Sequence, residues 1–255
     1  MMLAAERLAA ISDRLSTFRR VQADELAREF QVSEDTIRRD LRELAAQGHC
    51  QRVYGGALAT SPAPSRVQDR RGEATGRKQA LGRAAAANLK KGQFVFLDSG
   101  STNLALAQHI PPGLDLTIAT HDVSIAAALA NRDDMELIVI GGTVDPRTGS
   151  AMGAQVLSAM QRLRPDVLVL GLCAIDAHAG VTSFQHEDAI LKSVLVENAG
   201  QVMAAALNEK LSAAAPFHVG PADVISTLVT EATVTDQQVA SLRAAGITIT
   251  KASSS

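Results

Sequence analysis

The segment 32–57, VSEDTIRRDLRELAAQGHCQRVYGGA, decides the fold of the N-terminal part of the chain. Ser33 is a good helix N-cap, because its hydroxyl can accept a hydrogen bond from a backbone amide of the first turn. Apolar residues follow at helical spacing, at Ile37, Leu41 and Leu44. This spacing predicts a helix that runs to about Ala46, with one apolar face and arginines on its other faces.

The sequence before this helix predicts two more. Residues 2–16 carry leucines and an isoleucine at near-helical spacing, and Asp24–Phe30 repeats the pattern over a shorter length. Residues 31–33 form a short turn between the second and third helices. We therefore expect three consecutive helices, the last two joined by a tight turn.

The sequence after the helix predicts a β-hairpin. Gly48 marks the end of the helix, and Cys50–Tyr54 has the composition of a short strand. Gly55-Gly56 permits a tight reversal before a second strand that begins at Ala57. Three helices followed by such a hairpin are the order of a winged helix-turn-helix.

A winged helix-turn-helix directs particular side chains toward DNA. The N-terminal end of its third helix enters the major groove, where exposed amides can also hold a phosphate, and its wing touches the DNA backbone or the minor groove. The candidate DNA-binding residues are Ser33, Glu34, Thr36, Arg38, Arg39, Arg42, Arg52 and Tyr54. The alternative is that Arg38, Arg39 and Asp40 only form a solvated, salt-bridged helix face.

Charge is unevenly distributed along the chain. Residues 1–91 hold 17 Lys and Arg against 11 Asp and Glu, a net charge of +6, whereas residues 92–255 hold 8 against 16, a net charge of −8. Every basic residue before Lys78 is arginine, whose forked donors suit phosphates and guanine edges. The asymmetry favours a nucleic-acid partner, although an arginine-rich composition with solvated helix faces would produce the same imbalance.

A change of pattern divides the chain into two domains. Residues 60–75 hold two prolines and little periodicity, so we predict a winged helix domain at 1–58, a linker at 59–77 and an effector-sensing domain at 78–252. In the last, helical stretches alternate with short strands, which predicts an α/β fold with a mainly parallel sheet and helices on both faces. The predicted strands are Phe94–Leu97, Leu116–Ala119, Leu137–Ile140, Val167–Leu170, Val202–Leu207, Val224–Thr227 and Ile247–Thr250.

The loop after the first of these strands, DSGSTN at 98–103, has the chemistry of a phosphate site. Glycine lets the backbone approach an anion, while hydroxyls and the first amides of the next helix can hold its oxygens. Ligands of open α/β sheets bind at the carboxyl ends of strands, where further loops of this chain also lie. The candidate effector-binding residues are Asp98, Ser99, Gly100, Ser101, Thr102, Thr120, His121, Gly141, Gly142, Lys192 and Lys210.

Two simpler interpretations of this loop cluster remain open. A Ser/Thr-rich helix start is common without any ligand. His121 taken alone is more typical of a helix cap or a core position than of a ligand contact. Lys192 and Lys210 are scarce positive charges in an acidic half of the chain, and either could offset the charge of a phosphate.

The segment at 32–57 closely resembles the N-terminal signature of DeoR-type bacterial regulators, VSxxTIRRDLxxLxxxGxxxRxxGGA, with Tyr54 where histidine is frequent. The resemblance implies a recognition helix at 33–46 and a wing around 52–57. It extends over nearly the whole chain. The further matching residues are Arg70, Lys78, the DSGST loop at 98–102, Gly141-Gly142, Gly180-Val181-Thr182 and Lys192.

The resemblance also implies what the second domain does. In the family this domain is similar to the sugar-phosphate isomerase fold and binds phosphorylated sugars or related metabolites without turning them over. The chain departs from the pattern at three places. Val67 replaces an aromatic residue, Thr120-His121 replaces Thr-Asn, and Leu207-Asn208-Glu209-Lys210 replaces an Asp-x-x-Lys box. The missing acid at Leu207 removes a partner for a ligand hydroxyl or a support for Lys210.

Composition excludes several classes of protein. The chain has no Trp and one Tyr, which argues against a stacking platform for single-stranded nucleic acid. No apolar run reaches the ~18 residues of a membrane helix, and the N-terminus does not have the pattern of a signal peptide. Cys50 and Cys173 lack metal-site or disulfide spacing, so we expect no metal, no cofactor and a cytoplasmic location.

These observations favour a transcriptional regulator over an enzyme. The expected function is repression of a carbohydrate or polyol operon, with double-stranded operator DNA and a phosphorylated sugar or polyol as partners. A dimer or tetramer is expected, because helix-turn-helix proteins read paired half-sites. The alternatives are a transcriptional activator and an isomerase-like enzyme with a DNA-binding appendage, for which His186 and Glu187 would be the acid/base candidates.

Overall fold

The computed structural model describes residues 3–60 and 72–253. Its N-terminal part has the predicted order of three helices and a hairpin, with one additional short strand. The elements are α1 (Ala4–Phe18), β1 (Arg20–Gln22), α2 (Ala23–Phe30), α3 (Glu34–Ala46), β2 (Cys50–Val53) and β3 (Gly56–Thr60). The prediction of a winged helix-turn-helix is confirmed, and β1 is new because three residues are too few to show a period.

The local signals of the sequence act as expected in this unit. The Ser33 hydroxyl accepts a hydrogen bond from the Thr36 amide at 3.2 Å and caps α3. The apolar face of α3 is buried against α1 and α2. In the wing, β3 pairs antiparallel with both β2 and β1. Gly56 is required there, since a Cβ at this position would lie 2.0 Å from the carbonyl oxygen of Val21.

The second part of the chain is built on a parallel sheet. Its seven strands are β4 (Phe94–Leu97), β5 (Leu116–Thr120), β6 (Met135–Val139), β9 (Val167–Leu170), β12 (Gln201–Ala206), β15 (Thr227–Thr230) and β16 (Thr248–Lys251). They lie in the order β16-β15-β12-β9-β4-β5-β6, and every neighbouring pair is parallel. The predicted α/β class with a mainly parallel sheet is confirmed.

Helices cover both faces of this sheet. They are α4 (Thr75–Ala86), α5 (Ser101–Gln108), α6 (Val123–Leu129), α7 (Ala154–Met160), α8 (His186–Asn198) and α9 (Asp236–Ala244). Two hydrophobic clusters separate the faces: α4, α5 and α6 contribute to one, and α7, α8 and α9 to the other. Neighbouring residues of β4 show the division, because Phe96 enters one cluster while Val95 and Leu97 enter the other.

The structure corrects the strand predictions in two respects. The run Val224–Thr227 is not a strand: Ala222–Val224 forms a 3₁₀ turn, and β15 begins at Thr227. Short strands outside the seven-stranded sheet also occur that the sequence pattern did not predict, because runs of two to four residues carry no resolvable period. They are β7 (Thr143–Asp145), β8 (Ser150–Met152), β10 (Ala174–Asp176), β11 (Gly180–Ser183), β13 (Ala213–Ala214) and β14 (Phe217–Gly220).

One of these short strands joins the two parts of the molecule. β13 pairs in parallel with the wing strand β3, so that Ala213 lies beside Ala59 and Ala214 beside Thr60. Most of the predicted linker, with Val67 and Arg70, falls on residues 61–71 and lies outside the described residues. The boundaries at 58 and 78 therefore stay predictions.

Candidate functional site

The outer face of α3 carries an array of exposed polar side chains. Ser33, Glu34, Arg38, Arg39 and Arg42 are exposed, and Thr36 is half-buried. Arg38 pairs with Glu34 at 2.8 Å, and the Nε of Arg42 donates to the carbonyl oxygen of Arg38 at 3.2 Å. Among the described residues, the Arg39 side chain has no hydrogen bond or ion pair, so it can reach a base edge without breaking one.

Asp40 does not share this face. Its carboxylate is buried and accepts two hydrogen bonds from the guanidinium of Arg7 in α1, at 2.5 and 3.0 Å. The hydrogen bond to Asp40 raises the pKa of Arg7 above its ordinary value. The interpretation of Asp40 as part of a solvated helix face is therefore wrong, and the residue instead ties the recognition helix to α1.

The wing presents the two remaining DNA candidates. Arg52, in β2, and Tyr54, in the turn, are both exposed, and the Tyr54 side chain is fully so. Gly55 has a φ of +78°, a backbone conformation that suits glycine and makes the tight turn possible. Both side chains are therefore accessible at the tip of the wing, and their contact with DNA stays a prediction.

A cavity of about 180 Å³ lies at the carboxyl ends of β4, β9 and β12. Six of the predicted effector residues line it, namely Ser99, Gly100, Ser101, Thr102, Lys192 and Lys210. Asn103, in the predicted phosphate loop, and Gly171, after the fourth predicted strand, also line the cavity. The lining residues that the sequence reasoning missed are Arg147, Thr148, Leu172, Cys173, Ser183, Phe184, Gln185, Asp188 and Ala205. The loop at the start of α5 and the two lysines are thus brought together, as the topology of a parallel sheet requires.

Five predicted effector residues do not line the cavity. Asp98 and His121 lie behind its wall, and Thr120 accepts a hydrogen bond from a neighbouring backbone amide. Gly141 and Gly142 are both exposed; a Cβ on Gly142 would lie 2.7 Å from a methyl group of Val156, whereas nothing lies within 4 Å of a Cβ on Gly141.

Four buried ionisable side chains form one network at the cavity wall, where Lys192 and Asp188 line the cavity and Asp98 and His121 lie behind them. The Asp98 carboxylate accepts from His121 Nε2 at 3.0 Å and pairs with Lys192 Nζ at 2.9 Å. Lys192 also donates to Asp188 at 2.7 Å. His121 is held on its other side by the carbonyl oxygen of Ala151 at 2.9 Å. His121 therefore positions the Asp98 carboxylate from inside the core.

The network fixes the charges of its members. Burial opposes ionisation of Asp98, but the ammonium of Lys192 and the hydrogen bond from His121 outweigh it, so the pKa of Asp98 lies well below its usual range. Burial likewise opposes the charge on Lys192, but Asp188 and Asp98 raise its pKa far above the ordinary value. The raised pKa favours the charged form of Lys192, and two carboxylates already balance that charge.

Lys210 is held differently. It ends the 3₁₀ turn Asn208–Lys210, and its Nζ donates to the carbonyl oxygen of Leu172 at the cavity wall. Leu207, which stands where the family has an acid, is buried in the core and does not line the cavity. The turn is instead supported by Glu231, whose carboxylate accepts from the Asn208 amide at 2.7 Å.

Arg147 is the cation that the sequence did not reveal. It lies in the hairpin β7–β8, lines the cavity and pairs with Asp145 at 3.0 Å. The hydrogen bonds to Asp145 raise the pKa of Arg147 above its ordinary value. The stretch DPRTGS at 145–150 has the composition of any exposed turn, so no local signal marks its approach to the cavity.

The acid/base pair of the enzyme alternative lies outside the cavity. His186 stacks edge-on against Phe217, with ring centroids 5.4 Å apart, and Glu187 is exposed. Neither residue lines the cavity.

Over residues 3–60 and 72–253, no group of three or more His, Cys, Asp or Glu side chains is placed to hold a metal ion. In the same ranges, no helix combines the length and hydropathy needed to cross a membrane.

A winged helix with an exposed arginine face, joined to an α/β domain with a polar cavity at its strand ends, defines a DNA-binding transcriptional regulator with a sensor domain. The chain belongs to the DeoR family. The model of the DeoR-like helix-turn-helix domain matches residues 7–63, and that of the DeoR C-terminal sensor domain matches residues 73–232.

Curated relatives agree with this assignment. The chain is 30% identical to the glycerol-3-phosphate regulon repressor of Escherichia coli K12, over 83% of this chain and 84% of that protein. It is 30% identical to the transcriptional regulator GlpR of Haloferax volcanii, covering 97% and 98%, and 29% identical to the repressor GlcR of Bacillus subtilis, covering 90% and 89%.

Solved structures with some similarity are more distant. The full-length sorbitol operon regulator SorC of Klebsiella pneumoniae superposes with a TM-score of 0.42 at 14% identity, over 95% of this chain and all of that one. Ribose 5-phosphate isomerase A of Methanocaldococcus jannaschii gives a TM-score of 0.38 at 10% identity, over 53% and 54%.

Proposed function

We propose that this regulator represses a carbohydrate or polyol operon and that a phosphorylated sugar or polyol, bound in the cavity, changes its affinity for operator DNA. The name of one relative, the glycerol-3-phosphate regulon repressor, supports both the repression and the link to a phosphorylated polyol. The DNA-binding set is the one predicted on α3 and the wing. Operator reading needs two half-sites, so a homodimer or tetramer in the cytoplasm is part of the proposal.

The observation that carries the effector proposal is the convergence of cations and anion-binding groups on one cavity. Ser101 and Thr102 begin α5, whose first amides point toward the cavity and attract negative charge. Lys210 and Arg147 line the same space. Lys192 is held between two carboxylates, whereas Arg147 pairs with one, that of Asp145, and Lys210 donates to a carbonyl oxygen. Lys210 and Arg147 are therefore the cations that we assign to the phosphate.

The remaining predicted residues take supporting roles in this proposal. Asp98 and His121 shape the wall, since Asp98 also accepts from the Gly171 amide at 2.7 Å and so holds the end of β9 beside the loop. Gln185 and Ser183 offer hydrogen-bonding groups for the hydroxyls of a sugar or polyol. Thr120, Gly141 and Gly142 are left without a ligand contact.

The test is a thermal-shift screen of the full chain with glycerol 3-phosphate, glucose 6-phosphate and other sugar and polyol phosphates, each beside its unphosphorylated parent. We expect a phosphate ester to raise the melting temperature and its parent to do so much less. A ligand at 100 times its dissociation constant stabilises by about 2.7 kcal/mol, which a thermal shift detects easily.

Two variants locate the effect. Ser101→Ala/Thr102→Ala should abolish the shift, and Arg147→Met should reduce it, while DNA binding stays unchanged. Ser241→Ala, at an exposed position of α9, is the matched control. A double variant that is stabilised as well as the wild type would show that the loop is only a helix cap.

A separate assay addresses the enzyme alternative. The relatives are transcriptional regulators, and we propose that this chain binds its effector without converting it. Incubation of the full chain with pentose and hexose phosphates, followed by chromatography of the sugars, should recover them unchanged. Turnover that is lost in Lys210→Met would overturn this part. Whether the bound regulator blocks or assists polymerase depends on the position of its operator, which promoter-fusion assays measure.

A further inference from the structure

The segment Leu207–Ala214 connects the cavity of the sensor domain to the wing of the DNA-binding domain. It leaves the sheet after β12, forms the 3₁₀ turn that carries Lys210, and ends as β13 on the wing strand β3. Only three residues separate Lys210 from Ala214. A displacement of the Lys210 backbone is therefore expected to move β13, because the connection is too short to absorb it.

At the cavity end, the segment is attached through the side chain of Lys210. Its Nζ donates to the carbonyl oxygen of Leu172, a neutral acceptor. An anion held at Ser101 and Thr102 competes for this ammonium, because a contact between an ammonium and an anionic oxygen adds the attraction of two opposite charges, which a carbonyl oxygen does not supply. A phosphate in the cavity would thus attract the Lys210 ammonium away from the carbonyl oxygen of Leu172.

At the wing end, the attachment is narrow. β13 contributes two residue pairs to the sheet, Ala213 beside Ala59 and Ala214 beside Thr60. Arg19, at the end of α1, adds a hydrogen bond from its guanidinium to the carbonyl oxygen of Glu209 at 3.1 Å. So short a ladder can shift or separate without unfolding either domain.

The part between these ends is stiff. Leu211 is buried and bridges to Ile175, and Ser212 has a φ of +48°, a conformation that L-residues seldom adopt. The Glu209 carboxylate pairs with Arg77 at 2.7 Å, which anchors the turn to α4. Bonded on several sides, the turn moves as a unit rather than through single side chains.

We propose that Leu207–Ala214 couples the two sites: a phosphate ester in the cavity draws Lys210 from Leu172 and, through the turn, changes the pairing of β13 with the wing strand β3. The inference rests on the proposed effector site and adds its route of regulation. A ligand can shift an equilibrium only by its difference in affinity for the two arrangements. Here the difference is the contact that the Lys210 ammonium makes with the phosphate.

A reversible cross-link tests the route. Thr60→Cys and Ala214→Cys place two thiols on directly paired residues of neighbouring strands, about 4.8 Å apart, within the Cα separation that a disulfide bridges. The oxidised protein has β13 fixed to the wing, and the same sample after reduction is its control. Wild type under both redox conditions controls for Cys50 and Cys173.

The measured quantity is the ratio of DNA affinities with and without glycerol 3-phosphate or glucose 6-phosphate. The DNA is a duplex that the wild-type chain selects from a random library. For wild type and the reduced variant we expect a ratio of roughly tenfold, within the usual range of coupling between two sites. In the oxidised variant we expect less than about a twofold change, although calorimetry still shows the probe bound. Reciprocity then requires that DNA no longer changes the affinity for the probe.

An oxidised variant that binds the probe and keeps the full ratio would overturn the coupling alone. If neither probe nor any other phosphate ester binds the wild type, the proposed effector site is wrong and the coupling falls with it. Arg19→Met gives an independent reading without a disulfide, because it removes the bond to Glu209 and retains an apolar stem. It should lower the ratio with unchanged probe affinity, whereas Arg28→Met, exposed on α2, should not.

Discussion

The guanidinium of Arg7 in α1 and the carboxylate of Asp40 in α3 form a buried two-point ion pair inside the winged helix. Both side chains are more than nine-tenths removed from solvent. The pair lies on the side of α3 that faces the core, while Arg39, the residue before Asp40, is exposed. Asp40 therefore sets the position from which its exposed neighbours reach DNA.

Breaking this pair should destabilise the winged helix. Asp40→Asn leaves the Arg7 charge buried without its counterion, and such changes cost roughly 3 kcal/mol. Hydrogen exchange of the α3 amides measures the effect as faster exchange. The double variant Arg7→Met/Asp40→Leu should recover most of the loss, because it removes both charges and keeps apolar volume. Equal losses in the single and double variants would show that the pair contributes through packing alone.

The sequence predicted α3 well and Asp40 poorly, for one reason. The Ser33 cap and the apolar spacing of α3 are local, so neighbouring residues reveal them. The environment of Asp40 depends on Arg7, thirty-three positions earlier, and no pattern around either residue marks the contact. Family resemblance indicated that the segment matters without indicating which of its charges face the core.

The sensor domain shows the same division. The parallel sheet and the loop at Ser99–Thr102 follow from alternating strands and helices, and the predicted lysines do line the cavity. Arg147 approaches from a hairpin that breaks the βα order, and β13 is two alanines long. Their roles depend on contacts with residues far away in the sequence, and the periodicity of a local segment cannot predict such contacts.

Arg39 is the side chain whose removal should separate base reading from folding. Arg39→Ala is expected to weaken binding to the selected duplex by about 1–3 kcal/mol if the guanidinium contacts a base, with unchanged melting temperature. Titration by fluorescence anisotropy at fixed salt measures the loss. Arg243→Ala, an exposed arginine of α9 paired with Asp236, is the matched control and should bind as wild type. An unchanged affinity for Arg39→Ala would remove this residue from the base-reading set.

Stability should decline at alkaline pH through Lys192. Burial disfavours its charge, but Asp188 and Asp98 raise its folded-state pKa far above the unfolded value of about 10.4, so its contribution is complete below that pH. As pH rises further, the unfolded chain releases a proton that the folded chain retains. The free energy of unfolding should then fall by about 1.4 kcal/mol per pH unit.

Urea unfolding between pH 9 and 12, followed by circular dichroism, measures this slope. Lys91→Met, at an exposed position, should keep the decline, whereas Lys192→Met should start from lower stability and lose the part that this residue contributes. A slope shared by all three proteins would assign the alkaline effect to other groups.

Gly171 should be required for effector binding, although it has no side chain that could contact the ligand. A Cβ at this position would lie 2.1 Å from the carbonyl oxygen of Ser99 and 2.9 Å from the Asp98 carboxylate. Because the nearest atom is backbone, Gly171→Ala must push the phosphate loop out of place rather than rotate a side chain. Overpacking of this kind costs about 1–3 kcal/mol, which a folded domain of this size can tolerate.

Gly141→Ala is the control for this change, since nothing lies within 4 Å of a Cβ there and its backbone needs no unusual φ. We expect Gly171→Ala to lose the thermal shift given by phosphate esters while it binds the selected duplex with wild-type affinity, because the side chains assigned to DNA lie on α3 and the wing and not in this loop. Gly141→Ala should keep both properties. A Gly171→Ala protein that keeps the full shift would mean that the ligand does not depend on the position of Ser99, and the site would have to be sought among the other cavity walls.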